Sequence, residues 1–415
     1  MLADIAGNLQ IDWPADPGMA FWVALALVAG ALLGELVRRA FGVPRIVGYS
    51  VVGLVLGGAG FGAGLLQGSE RLIVDLALAL LLFELGSRVH LRWLRANPAL
   101  LLTSAVEVLL SFAAIYAALR AFGLPLNVAL TCATLGTCAS GAVIARVGSE
   151  LKAAGQVSER LVVLTTLNTL VAVLVHKLVI GWLHLDVAGD WVRAVSQPLW
   201  AFGGSVLLAA LLAALVAWVA RHLDLRDENA ALLLLGLVVL SLVAAKLLNL
   251  STLLVPLLAG VLLRNTTQRP WVWPRHFGTA GGVLVLMLFV IVGSVGSVDA
   301  VLAGGLAALV LLGARAGAKT VAVLAFTPWS GLRWRQGLGL ALALTPMSGT
   351  ALVLLSDLNG NHPAFAPLVA PIIFSAIAFT EVLGPLAVQW GLRLAGEHQP
   401  GVLADDNVRS QAVAA

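Results

Sequence analysis

Glu107, Arg315, Lys319 and Glu381 each interrupt a long apolar run. A charge in hydrocarbon is costly, and it is kept where it binds an ion, relays a proton or pairs with a neighbour. A carboxylate in that position can hold either a proton or a cation, which is exchange chemistry. Depth can be counted at 1.5 Å per residue from the segment ends assigned below to the cytoplasm. Glu107 then lies about 15 Å deep, Glu381 at a similar depth, and Lys319 and Arg315 at roughly 12 and 18 Å. Two acids and two bases share one layer of the membrane, and buried charges persist when paired. A network of Glu107 and Glu381 with Arg315 and Lys319 is the expected arrangement; the plainer reading is a fixed structural salt bridge. Glu84, near the cytoplasmic end of its segment, is expected to line a vestibule. His176 is read either as a proton relay or as an interfacial residue. Glu35 and Asp75 lie about a turn from segment ends, where they reach interfacial water, and Lys177 is expected to snorkel outward.

The elements that carry these residues follow from composition. Of 415 residues, 60% are hydrophobic and 11% charged, with mean hydropathy +0.99. A water-soluble domain carries roughly 25% charged residues, so lipid is the expected solvent. The basic residues sit in short loops between apolar runs, which excludes a nucleic-acid surface. Cys132 and Cys138 share one apolar segment; they make no disulfide framework and, without CxxC or a His cluster, no metal site. No Walker loop, dinucleotide fingerprint, HExxH or GxSxG occurs. Neither enzymatic chemistry nor a cofactor is expected.

About 20 apolar residues cross the hydrocarbon core. Spans are expected near 19–37, 44–60, 71–88, 98–120, 125–147, 158–182, 197–220, 227–248, 251–263, 278–297, 299–326, 335–356 and 365–391. With these thirteen spans, eighteen of the 25 Lys and Arg fall in alternate loops. Arg71, Arg120, Arg193 and Lys246 fall in the opposite loops, and Lys177, Arg315 and Lys319 lie within spans. The positive-inside rule then sets residues 1–18 in the periplasm and a short tail, 398–415, in the cytoplasm of an inner-membrane, multi-pass protein.

The fifth and twelfth spans hold similar stretches, Cys138-Ala139-Ser140-Gly141-Ala142-Val143-Ile144 and Pro346-Met347-Ser348-Gly349-Thr350-Ala351-Leu352. In this topology they run in opposite directions. Inverted repeats with broken helices offer backbone dipoles to an ion; small residues that merely ease helix packing are the other reading. Breaks are expected near Thr137–Gly141 and Pro346–Gly349, because Pro346 removes a backbone donor and the glycines relax the chain.

Several stretches, taken in order, carry a resemblance. They are Val43-Pro44-Arg45-Ile46-Val47-Gly48-Tyr49 with Gly53 and Gly57-Gly58; Leu82-Phe83-Glu84-Leu85-Gly86; and Ser251-Thr252-Leu253-Leu254 through Ala259-Gly260-Val261. Arg315 with Lys319, and Glu381-Val382-Leu383-Gly384-Pro385 ending in Ala395-Gly396-Glu397, complete the set. Over about residues 20–397 the chain resembles the second cation:proton antiporter family, which includes sodium/proton exchangers and potassium-efflux antiporters. The resemblance implies a core domain (about 98–182 and 299–391) that moves like an elevator against a scaffold (about 19–88 and 227–297), as a homodimer in lipid. It implies exchange of a monovalent cation, Na+ or K+, for protons, at an ion site where two broken helices cross.

Beside that crossing, the family's sixth span carries an acidic pair, or Asn or Gln followed by Asp. The matching positions here are Asn168 and Thr169. A neutral Thr cannot alternate between a proton and a cation. The expected ion-binding and coupling set is therefore Asn168, Thr169, Ser140, Ser348, Glu107, Glu381, Arg315 and Lys319, with Glu84 and His176 as vestibule or relay. Two alternatives stand beside antiport. One is a carrier of the same fold with another substrate or uncoupled transport; the other is a transport-inactive sensor or partner subunit.

Overall fold

The computed structural model describes residues 19–60, 70–189, 191–223, 228–267, 277–296, 298–347 and 349–398, and the described chain is helical throughout. The helices are α1 (Met19–Phe41), α2 (Arg45–Gly58), α3 (Glu70–Ser87), α4 (Leu91–Ala96), α5 (Pro98–Ala121), α6 (Leu126–Gly136), α7 (Gly141–Glu150) and α8 (Gln156–Ala188). They continue as α9 (Trp191–His222), α10 (Glu228–Leu247), α11 (Leu254–Thr266), α12 (Phe277–Ser294), α13 (Val298–Phe326), α14 (Trp334–Ala343), α15 (Gly349–Asn361) and α16 (Ala366–Ala395). A helix falls on each expected apolar segment. Among the described residues, eight segments are long and apolar enough to cross a membrane, the α6–α7 pair counting as one, while α2 and α11 are shorter apolar helices.

Some boundaries differ from those read in the sequence. The ninth segment starts at Leu254 rather than Ser251, because the Ser251 hydroxyl accepts a hydrogen bond from the Leu254 N–H, 3.2 Å, and so stands ahead of the helix. Helix α8 runs on past residue 182 to Ala188, where Gly189 adopts a left-handed conformation, φ 66°, and closes it. Helix α13 is kinked at Gly305, φ 33°.

Close backbone approaches fix the packing. Helix α12 lies along α2, and α11 along α3. A Cβ on Gly86 would fall 2.2 Å from the Leu257 carbonyl oxygen, and one on Gly260 would fall 2.2 Å from that of Phe83. Only glycine on both helices permits this contact. On the other side of the molecule, α13 runs along both α5 and α16, and α14 lies along α16. That packing brings Lys319 of α13 to Glu107 of α5.

Candidate functional site

The two expected breaks are present. Helix α6 ends at Gly136 and α7 begins at Gly141; α14 ends at Ala343 and α15 begins at Gly349. Polar groups satisfy the unwound backbone. The Thr137 hydroxyl donates to the Thr134 carbonyl at 2.7 Å, and Ser140 caps α7 by accepting from the Val143 N–H at 3.3 Å. The breaks meet where the Ser140 N–H donates to the Pro346 carbonyl, 3.0 Å. Ser348 lies outside the described residues.

Arg315 sits at this meeting point, 1% exposed. Its Nη1 donates to the Gly136 carbonyl at 2.9 Å. Its Nη2 reaches the carbonyls of Cys138, Leu344 and Pro346 at 2.6, 3.3 and 3.0 Å. These oxygens belong to the C-terminal ends of α6 and α14, where a helix dipole is negative. The four-charge network expected from depth is therefore corrected: Arg315 neutralises two broken helix ends rather than pairing with an acid. The positive ends of α7 and α15 remain at the crossing, beside a guanidinium, and that combination repels a cation.

Glu107 and Lys319 are both fully buried and in direct contact, 212 residues apart in the chain. Lys319 lies one turn along α13 from Arg315. The same Glu107 oxygen, Oε1, also accepts from the Ser111 hydroxyl at 3.3 Å, while Oε2 has no hydrogen-bond partner. Ser104, nearly one turn before Glu107, donates to Asn168 Oδ1 of α8 at 3.5 Å. Asn168 is fully buried and its Nδ2 is unpartnered. Along α5, Ser104 thus meets the Asn168 amide of α8, while Glu107, with Ser111 beside it, meets the Lys319 ammonium of α13. The carboxylate, amide and hydroxyl oxygens are hard donors of the type that alkali cations accept, since softer ligands select other metals.

The remaining expected residues separate from this cluster. The Thr169 hydroxyl donates to the Thr165 carbonyl of its own helix at 2.9 Å. Glu381 accepts from the Ser50 hydroxyl of α2 at 3.2 Å, and the side-chain hydrogen bonds of Arg315 and Lys319 among the described residues go elsewhere. Glu84 pairs with Arg88 at 2.5 Å and lines a cavity of about 1210 Å³. His176 is buried, with Nε2 3.2 Å from Asp357 Oδ2.

Three acids were not legible as partners in the sequence. Asp357 takes Lys177 at 2.8 Å, so that lysine is paired rather than snorkelling. Asp75 is 4% exposed and pairs with Lys246. Glu397 accepts from the Val157 and Ser158 N–H groups at 2.7 Å each and from the Ser158 hydroxyl at 2.8 Å. It therefore caps, from the far end of the chain, the helix that carries Asn168. An acid shortly after the last apolar run was the available signal for Glu397; the acceptors it would find were not visible. No cluster of three or more metal-binding side chains occurs among the described residues.

The same fold occurs in solved structures. An electron-microscopy structure of the sodium proton antiporter MjNhaP1 from Methanocaldococcus jannaschii matches at TM-score 0.71 and 17% identity, covering 93% of this chain and 100% of that one. A second MjNhaP1 structure, at pH 8, matches at TM-score 0.59 and 18% identity, over 90% of this chain and 95% of that one. At such identities the likeness establishes the fold. No curated protein sequence matches the chain. Residues 23–394, nearly the whole chain, match the family described as sodium/hydrogen exchanger, transmembrane. This match, over helices that carry the two breaks, places the chain in the sodium/hydrogen exchanger transmembrane family.

Proposed function

We propose that the protein exchanges a monovalent cation, Na+ or K+, for protons across the inner membrane, with Glu107 as the coupling carboxylate. One observation carries this reading: Glu107 is wholly buried, holds Lys319 on one oxygen and leaves the other without a partner. The acid that relatives are expected to carry on the sixth span is supplied here by the fourth. A cation that reaches Glu107, Asn168 and Ser104 competes with Lys319 for the carboxylate. A buried lysine deprived of its counter-ion loses its proton readily, so cation binding releases a proton on the same side. On the opposite side the steps reverse.

Helices α5–α8 and α13–α16 carry the site as the moving core, with α1–α3 and α10–α12 as scaffold, in a homodimer. The N-terminus lies in the periplasm and the C-terminus in the cytoplasm. The sided excess of Lys and Arg supports that orientation.

A second reading, a carrier of the same fold without proton coupling, is favoured by Thr169, whose hydroxyl is spent on its own helix. Everted membrane vesicles with a pH-sensitive dye separate the two. Adding NaCl or KCl to acidified vesicles should collapse the proton gradient under the first reading. Cation flux that leaves the gradient intact would establish the second.

A further inference from the structure

The cavity of about 1210 Å³ opens between the α3–α4 turn, the α7–α8 turn and the end of α11. Its charge has the wrong sign for a passage that serves cations alone. Arg88, Arg92, Lys152 and Arg264 line it against Glu84 and Glu159, an excess of two positive charges. Arg88 is occupied by Glu84 at 2.5 Å. Among the described residues, Arg92, Lys152 and Arg264 have no carboxylate partner. Basic loops are common on the cytoplasmic side, but these cations surround one hollow, and Arg264 among them is held in position.

Arg264 is half-buried, and its Nε donates to His90 Nε2 at 2.9 Å. A ring nitrogen that accepts is unprotonated, and burial together with the Arg264 charge lowers the pKa of His90. The imidazole is thus a neutral prop that orients the guanidinium without cancelling its charge. The loop carrying His90 is pinned by Asn265, whose Oδ1 accepts from the Leu91 N–H and whose Nδ2 donates to the Val89 carbonyl, both at 2.9 Å. Lys152 adopts a left-handed backbone, φ 48°, that non-glycine residues avoid unless their surroundings impose it. This conformation turns the chain between α7 and α8 at the rim of the hollow.

We propose that this cavity binds a phosphate-bearing anion of two or more negative charges, held by Arg92, Lys152 and Arg264. The planar guanidinium fork matches phosphate oxygens, and lysine adds a point charge. Occupancy cancels or reverses the excess positive charge and so admits a cation past the mouth; that consequence rests on the proposed exchange, whereas binding does not. A soluble phosphate compound and an anionic lipid headgroup present the same chemistry.

The test uses the full chain in phosphatidylcholine nanodiscs, titrated calorimetrically with inorganic tripolyphosphate at fixed ionic strength. Saturable binding is expected, weakened at least about tenfold in Arg92→Ala/Lys152→Ala, whose side chains are exposed and whose fold is checked by thermal unfolding. Discs containing phosphatidylglycerol form the second arm. An unfolding temperature raised by that lipid in the wild type, but not in the double variant, assigns the phosphate to headgroups. Absence of both effects, or effects unchanged in the variant, overturns the site. Neither readout involves transport, so failure here leaves the exchange reading standing.

Discussion

Glu107 and Lys319 have no exposed surface, so each is tolerated through the other. Replacing the acid alone strands an ammonium in a dry site, whereas replacing both removes the problem. Glu107→Gln is expected to destabilise the protein by roughly 3–5 kcal/mol, and Glu107→Gln/Lys319→Met to recover most of that loss; unfolding midpoints of the two in the same detergent check it. Equal loss in both variants would mean that the pair does not share its burial. Thr169 yields a second expectation. Thr169→Asp rebuilds an Asn-Asp pair beside Asn168 and should strengthen proton-coupled cation transport in vesicles; a folded variant that gains nothing would favour a different substrate. At this scale the sequence showed the depth of Glu107 and Lys319, because rise per residue is fixed. It did not show the partners of Arg315, since those are backbone carbonyls, and no residue type announces them. Asp357 and Asp75 escaped for a related reason. Distance from a span end does not name a partner: packing of distant helices buries Asp75 against Lys246 and brings half-buried Asp357 to Lys177.

Helix α8 carries Asn168 and Thr169, and its N-terminus is held by Glu397 rather than by a local cap. Gly155 leaves the room for it: a Cβ there would fall 2.3 Å from the Glu397 carboxyl carbon. Capping groups contribute about 0.5–2 kcal/mol. Glu397→Ala should lower the unfolding midpoint by an amount in that range, and a Gly155→Ala variant should lower it as well, because the added methyl displaces the same carboxylate. An unchanged midpoint in both would show that the cap is not what fixes the helix. The broken helices were legible from Pro346 and the paired Ser-Gly stretches. Their electrostatics were not, because Arg315 reaches both breaks from a third helix. That arrangement makes the crossing itself positive, which is why the proposed exchange is assigned to Glu107, beside Lys319 one turn along α13.

Across the described residues, eight apolar segments reach membrane-spanning length, whereas hydropathy along the sequence predicts thirteen spans. The pairing of α5 with α13, which assembles the site, depends on contacts between residues 212 positions apart and had no local signal beyond shared depth. The periphery responds to pH in a defined direction. His362, just beyond α15, has its pKa lowered from 6.5 by burial and by neighbouring His184, whose Nδ1 lies 3.0 Å from its Nε2. A histidine depressed in the folded state contributes stability that is present above pH 6.5 and is lost as pH falls through the lowered value. The unfolding midpoint should therefore decline below about pH 6.5, and less so in His362→Gln; parallel declines would exclude this ring as the cause. Purified protein in proteoliposomes carrying an internal pH dye should acidify or alkalinise the lumen in response to an imposed Na+ or K+ gradient. Glu107→Asp should retain the response with altered cation affinity, and Glu107→Gln, reconstituted to the same level, should abolish it. Cation-driven proton movement that persists undiminished in Glu107→Gln would contradict the assignment of Glu107 as the coupling carboxylate.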